Sequence, residues 1–398
     1  MNTASDFAGW RRRTAWFIAG QSFSLFGSAL VQYAIIWHIT LTTRSGVMLA
    51  VSTICGFLPQ ILITLFSGVW ADRYNRKRLI IFADALTALT TLALAVLFMT
   101  GHDDIRLLFA ASALRAVGSG IQNPAVNAVL PQLVPQEQLT RVNGVNGSLQ
   151  SLNMILAPAA SGALLKAAPL QALFFVDVVT AAIAIGIMLF ITVPSLAQTS
   201  AGGSYFSDLR QGVRYTVTHR VIGFLMLFYA LFMFFVTPVA FLTPLQVTRR
   251  FGGDVSYLTV AEIVFSAGSV LGGLLIAAWG GFKNRVHTIA LAYVLFGALT
   301  FALGTPVSLI PYMGLMGLCG LVMPLFNTPF VVLLQETVEP DMLGRVFGLV
   351  QMLASSGVPL GMIVFGPLSD RVSIEALLLA TGVLIVLQGA VLFARPPR

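Results

Sequence analysis

Charge is what this 398-residue chain has least of. Asp, Glu, Lys and Arg together make up 10% of the residues, against the roughly 25% of a soluble globular domain. Hydrophobic residues make up 57% and the mean hydropathy is +0.88. That balance excludes a water-soluble protein. Cysteine is nearly absent too: Cys55 and Cys319 both lie in apolar runs, so neither a disulfide framework nor a metal site is expected. No G-x-x-x-x-G-K-[ST] phosphate loop occurs and no soluble stretch could hold one, which excludes ATP-driven pumping. Neither an enzymatic activity nor a resident cofactor is expected.

Long apolar runs are abundant. A helix needs about 20 residues to cross a ~30 Å hydrocarbon core, and breaks at charge, Pro and Gly clusters divide the chain into twelve such runs: 14–42, 47–70, 78–100, 105–130, 144–166, 169–193, 221–248, 255–280, 285–304, 308–332, 344–367 and 372–394. Runs such as Ile183 to Phe190 are apolar on every side, whereas barrel strands alternate. The spans are therefore expected to be helices that satisfy their own backbone. With a cytoplasmic N-terminus, sixteen Lys and Arg lie at or beyond the span ends on the cytoplasmic side and six on the other, with Arg115 alone deep inside a span. This asymmetry orients the chain with both termini in the cytoplasm. It also explains the net charge of +8 by orientation and lipid headgroups, without nucleic acid.

The polar stretch 194–220 interrupts the runs six and six, which gives an all-α chain of two six-helix bundles, 1–193 and 221–398, joined by a cytoplasmic linker. The halves echo each other. Leu139-Thr140-Arg141-Val142-Asn143-Gly144 lies 204 residues before Leu343-Gly344-Arg345-Val346-Phe347-Gly348, and the same offset relates Asn123 to Asn327. Repeated halves that rock about a midplane site are one architecture of secondary transporters.

Gly68, Asp72, Arg73, Arg76 and Lys77 resemble the loop 2–3 motif of the major facilitator superfamily, and Arg115 with Gly118 and Gly120 is similar to that family's fourth-helix antiporter motif. At finer grain, Ala19-Gly20-Gln21, Gly56-Phe57-Leu58-Pro59, Pro124 to Val129 and Leu343 to Phe347 look like the bacterial macrolide-efflux group of drug:proton antiporters. Two departures stand out. The fifth-helix motif is present only as Ala157-Pro158 and Ser161-Gly162, and the loop 8–9 copy of the first motif keeps Lys283 and Arg285 without an acid. The resemblance implies a conformational gate formed by Gly68, Asp72, Arg73, Arg76, Lys77 and Arg345, in which Asp72 braces the cytoplasmic start of the eleventh span.

Ionisable groups inside apolar spans are costly and mark function. Asp84, Arg115, Asp177 and Glu262 are therefore the candidate proton-coupling residues: burial favours the neutral carboxyl, a nearby Arg the anion, and that competition suits a proton carrier. Gln21, Gln32, Asn123, Asn127 and Asn327 are the candidate cavity residues. No cluster of Arg and Lys is available to hold a phosphate or dicarboxylate. The expected function is proton-coupled export of amphipathic drugs, macrolide-like compounds or lipophilic cations, by alternating access across a bacterial inner membrane. The expected partners are that small substrate, protons and lipids, with the chain acting as a monomer. Export of an endogenous metabolite such as a siderophore, or a transport-inactive sensor or scaffold, are the alternatives.

Overall fold

A computed structural model describes residues 9–193 and 205–394, with the backbone alone at 68, 69, 71–73 and 205–209. Among the described residues there is no strand. In chain order the helices are α1 (Trp10–Thr43), α2 (Gly46–Arg73), α3 (Arg76–Met99), α4 (Ile105–Leu133), α5 (Leu139–Ala167), α6 (Leu170–Phe190), α7 (Tyr205–Thr218) and α8 (Arg220–Phe235). They continue as α9 (Thr237–Phe241), α10 (Thr243–Phe251), α11 (Val255–Trp279), α12 (Arg285–Leu303), α13 (Leu309–Thr337), α14 (Leu343–Leu368) and α15 (Ile374–Ala394).

Polar residues set the helix starts. Asp104, Asp254 and Asn284 accept from Arg106 N at 2.9 Å, Ser256 N at 2.8 Å and Val286 N at 3.0 Å, capping α4, α11 and α12. Each cap satisfies an amide that a helix's first turn leaves without a partner. Gly280 ends α11 in the left-handed region at φ 75°, where a side chain would be strained.

Among the described residues, nine helices are long and apolar enough to cross a membrane, and Arg210–Thr218 with α8, bent by 107°, would make a tenth. Length and apolarity alone therefore stop short of the twelve spans expected. The reasons are local. α4 and α5 are 29 residues long each but carry Arg115, Gln122, Asn123 and Asn127, and Asn143, Asn146, Gln150 and Asn153 respectively. The run 221–248 is not one helix but α8, α9 and α10, because Pro238 and Pro244 occupy the first turns of the last two. A proline lacks the N–H that a continuing helix needs and starts a new one readily. Large apolar side chains remain on the outside of many helices, Phe190 at 92% and Ile310 at 84% exposed, as a lipid-facing surface requires.

The chain forms two compact units, Met1–His38 with Cys55–Gly202, and Ile39–Ile54 with Gly203–Arg398. In the first, α3 lies against α4 and α6. Phe17, Ile80, Val129, Leu130 and Met188 are buried together where α1, α3, α4 and α6 meet. Gly120 lets α4 approach α2: a Cβ there would stand 2.8 Å from the carbonyl oxygen of Gln60.

In the second unit α12 lies against α15, and α11 against α13. Gly268 and Gly272 on α11 meet the backbone of Gly317 and Leu321, and Gly320 on α13 meets that of Phe265, so that a Cβ at any of the three would overlap main chain. The G-x-x-x-G spacing thus serves close helix packing. In the same unit, Tyr229 stacks on Phe330 with centroids 4.6 Å apart and Phe232 on Tyr293 at 4.7 Å.

Candidate functional site

Two layers of polar side chains cross the interior of the first unit. Spacing builds them. Gln21, Ser24 and Ser28 recur at three and four residues on α1, Asp84 and Thr91 lie seven apart on α3, and Arg115 and Gln122 seven apart on α4. Residues so spaced share a helix face. α3 and α4 therefore present one polar group to each layer, and α1 presents Gln21 and Ser24 to the first and Ser28 to the second.

The first layer centres on Asp84, 1% exposed. Ser24 Oγ donates to its Oδ1 at 2.6 Å and Gln122 Nε2 donates to the same oxygen at 2.7 Å. Gln122 Nε2 also donates to Gln21 Oε1 at 3.1 Å. The other carboxyl oxygen, Oδ2, is buried without a hydrogen-bond partner among the described residues. A buried oxygen left in that state is costly unless something binds it.

The second layer is an ion pair. Arg115 and Asp177 are both buried and bonded to each other, with Arg115 also donating to Thr91 Oγ1 and, at 3.1 Å, to the Ser28 carbonyl. Thr91 Oγ1 donates to Asp177 Oδ2 at 2.8 Å and Ser28 Oγ to its Oδ1 at 3.2 Å. Asp177 is thus held on both oxygens. Gly27 allows α1 to come this close to α6, since a Cβ there would overlap Thr180 and stand 3.1 Å from Asp177 Oδ1. Gly118 does the same for α4 against α3, where a Cβ would lie 2.5 Å from Thr87 Oγ1 and 3.2 Å from the Ala83 carbonyl.

Of the four ionisable candidates, Asp84, Arg115 and Asp177 are therefore in one unit, while Glu262 lies on α11 in the other, half-buried. Among the cavity candidates, Gln21 joins the first layer. Gln32 faces Gly56, whose added Cβ would stand 3.1 Å from its Nε2, and Asn123, Asn127 and Asn327 are exposed on α4 and α13. The gate candidates divide. Gly68, Asp72 and Arg73 are described by their backbone alone. Arg76 donates to the Ala128 carbonyl at 3.1 Å near the end of α4, and Lys77 Nζ donates to the carbonyls of Leu189 and Ile191 at 2.9 and 2.8 Å, closing the end of α6. Arg345, at the start of α14, reaches back to the Asp341 carbonyl at 3.4 Å. Loop 8–9 does find an acid, Glu336 of α13, which pairs with Arg285 at 3.2 Å.

Ser24, Ser28, Thr91 and Gln122 were not anticipated as site residues. Being neutral, they do not stand out in an apolar span by charge, but their three-, four- and seven-residue spacing from the charged groups is visible in the sequence.

Comparison with known proteins agrees with this architecture. Residues 14–362 match the Major Facilitator Superfamily. Macrolide efflux protein A of Streptococcus pyogenes is 31% identical over 94% of this chain and 93% of its own length. Multidrug efflux pump Tap of Mycobacterium bovis is 24% identical over 85% and 83%. In fold, the crystal structure of nucleoside transporter NupG superposes with a TM-score of 0.72 at 15% identity, over 96% of this chain and 98% of that one. A multi-pass helical chain with this match over most of its length, a buried ionic layer between its helices and relatives that move molecules across membranes is a transporter, not an enzyme, and belongs to the major facilitator superfamily.

Proposed function

We propose that this transporter exports amphipathic drugs, macrolide-like compounds or lipophilic cations, in exchange for protons by alternating access, as a monomer in a bacterial inner membrane with both termini cytoplasmic. The halves 1–193 and 221–398, joined by the 194–220 linker, alternate the exposure of the substrate site, with Asp72, Arg76, Lys77 and Arg345 bracing the cytoplasmic gate. The substrate class rests on the near full-length similarity to a protein named for macrolide efflux.

Proton coupling rests on one observation: Asp84 is buried with no described residue bonded to Oδ2, while Asp177 has both oxygens occupied. A carrier must have an atom free to take a proton. Asp177, neutralised by Arg115, is a fixed brace, and Asp84 is the carrier. Glu262 is a second candidate carrier in the other unit. One proton moving down 100 mV supplies ~2.3 kcal/mol, and each pH unit about 1.4. One-for-one exchange with a monocation cancels the electrical part, so strong export of a cationic drug takes two protons.

Inside-out vesicles containing the chain and acidified inside should accumulate erythromycin and release it when an uncoupler collapses the gradient. Asp84→Asn should abolish this accumulation while leaving counterflow down a substrate gradient. Wild-type accumulation by Asp84→Asn removes Asp84 as carrier, and accumulation indifferent to the uncoupler removes proton coupling.

A further inference from the structure

Gln122 is a neutral residue in the middle of α4, and the resemblance that singles out Arg115 on the same helix does not include it. Its place in the first polar layer is nevertheless specific. Its Nε2 donates to Asp84 Oδ1 at 2.7 Å and to Gln21 Oε1 at 3.1 Å. An amide group turns toward a neighbour either its nitrogen, which donates, or its oxygen, which accepts. The Asp84 carboxylate fixes that choice, because turning Gln122 over would set its carbonyl oxygen against Oδ1, and Gln21 accepts from the same nitrogen. Its donor edge is thereby held toward the carboxylate.

The consequence falls on Asp84. Ser24 Oγ, at 2.6 Å, and Gln122 Nε2 both donate to Oδ1, and among the described residues none donates a hydrogen bond to Oδ2. The two oxygens of one carboxyl are made unequal by their neighbours. Oδ1 is occupied and its negative charge is satisfied. Oδ2 is the atom left to take a proton, and a proton bound there leaves Oδ1 still accepting both bonds, so the surrounding side chains need not rearrange when the charge changes. Resting on the assignment of Asp84 as the carrier, we infer that Gln122 is the positioning residue of the coupling step: it holds Oδ1 and directs proton binding to Oδ2. The proton arrives from water on one side of the membrane, forms its bond to Oδ2, and leaves to water on the other.

The test separates coupling from movement. Gln122→Met keeps the length of the side chain and removes the donor. In vesicles loaded for erythromycin transport, uphill accumulation should fall at least tenfold while counterflow down a substrate gradient stays within twofold. Gln122→Glu is equally isosteric, and a carboxyl at 122 can donate to Asp84 only when it carries a proton of its own. Uphill accumulation by Gln122→Glu should therefore return at acid pH and disappear at alkaline pH, a profile that a packing role would not produce. Accumulation within twofold of wild type by Gln122→Met, or an equal loss of accumulation and counterflow, overturns the inference. Asp84→Asn, measured alongside, tells the two readings apart. If it pumps as wild type, the carrier assignment falls and the role of Gln122 with it. If it loses uphill transport while Gln122→Met keeps it, only the role of Gln122 falls.

Discussion

Asp370 and Arg249 form an ion pair at 2.6 Å in the second unit, and the same carboxylate accepts from the backbone amides of Gly46 at 2.7 Å and Val47 at 3.0 Å. An acid just beyond the end of α14 thus caps the start of α2, where the helix dipole favours negative charge. Removal from water alone would raise the Asp370 carboxyl, but the amides of Gly46 and Val47, then Arg249 and Ser45, outweigh it and hold the group below its usual value.

A carboxylate depressed in this way contributes stability that is complete at neutral pH and is lost as pH falls through its folded-state value. Asp370→Asn should therefore lower thermal stability in detergent at pH 7, by about 1 kcal/mol given its partial exposure to solvent. The gap to wild type should close as pH drops below the ordinary carboxylate range. A gap that persists at acid pH would show that charge is not what the site uses.

Removing one member of the buried Arg115–Asp177 pair leaves the other uncompensated, at a cost of about 3–5 kcal/mol. Arg115→Leu should unfold at clearly lower temperature than wild type. Adding Asp177→Leu should recover a large part of the loss, since two apolar groups replace two charges. A double variant as unstable as the sum of the singles would mean that the two residues do not interact.

Gly272 on α11 abuts the backbone of Leu321, whereas the adjacent Gly273 has nothing within 4 Å of where a Cβ would be. Gly272→Ala should cost about 1–3 kcal/mol through overlap, while Gly273→Ala should be neutral or slightly stabilising because alanine is the better helix former. Equal effects at both positions, measured by thermal unfolding, would contradict the close approach of α11 and α13.

Lys77 satisfies two carbonyls at the end of α6. Lys77→Ala should cost about 0.5–1 kcal/mol, the scale of a cation at a helix C-terminus, and Lys77→Arg should restore most of it. Identical unfolding temperatures for all three proteins would rule out this role.

The sequence made the membrane class and most spans legible because apolar runs of this length have few other uses. It also pointed to Asp84, Arg115 and Asp177, since a charge among apolar residues is conspicuous. What it obscured follows from what hydropathy averages away. Pro238 and Pro244 were in plain view, yet the run around them is apolar enough to read as one helix. Gln122 and Ser24 carry no charge and gain meaning only when Asp84 is beside them. Asp370 looked like any loop acid, because its partners at 46 and 47 lie more than 320 positions earlier in the chain.

The two units do not follow the order of the chain, since Ile39–Ile54 belongs with the later residues. Dissecting the gene would therefore not dissect the protein. A fragment beginning at residue 205 would keep Asp370 and Arg249 but lack the amides of Gly46 and Val47 that donate to Asp370. It could complete its own fold only by borrowing that segment from a co-expressed N-terminal piece.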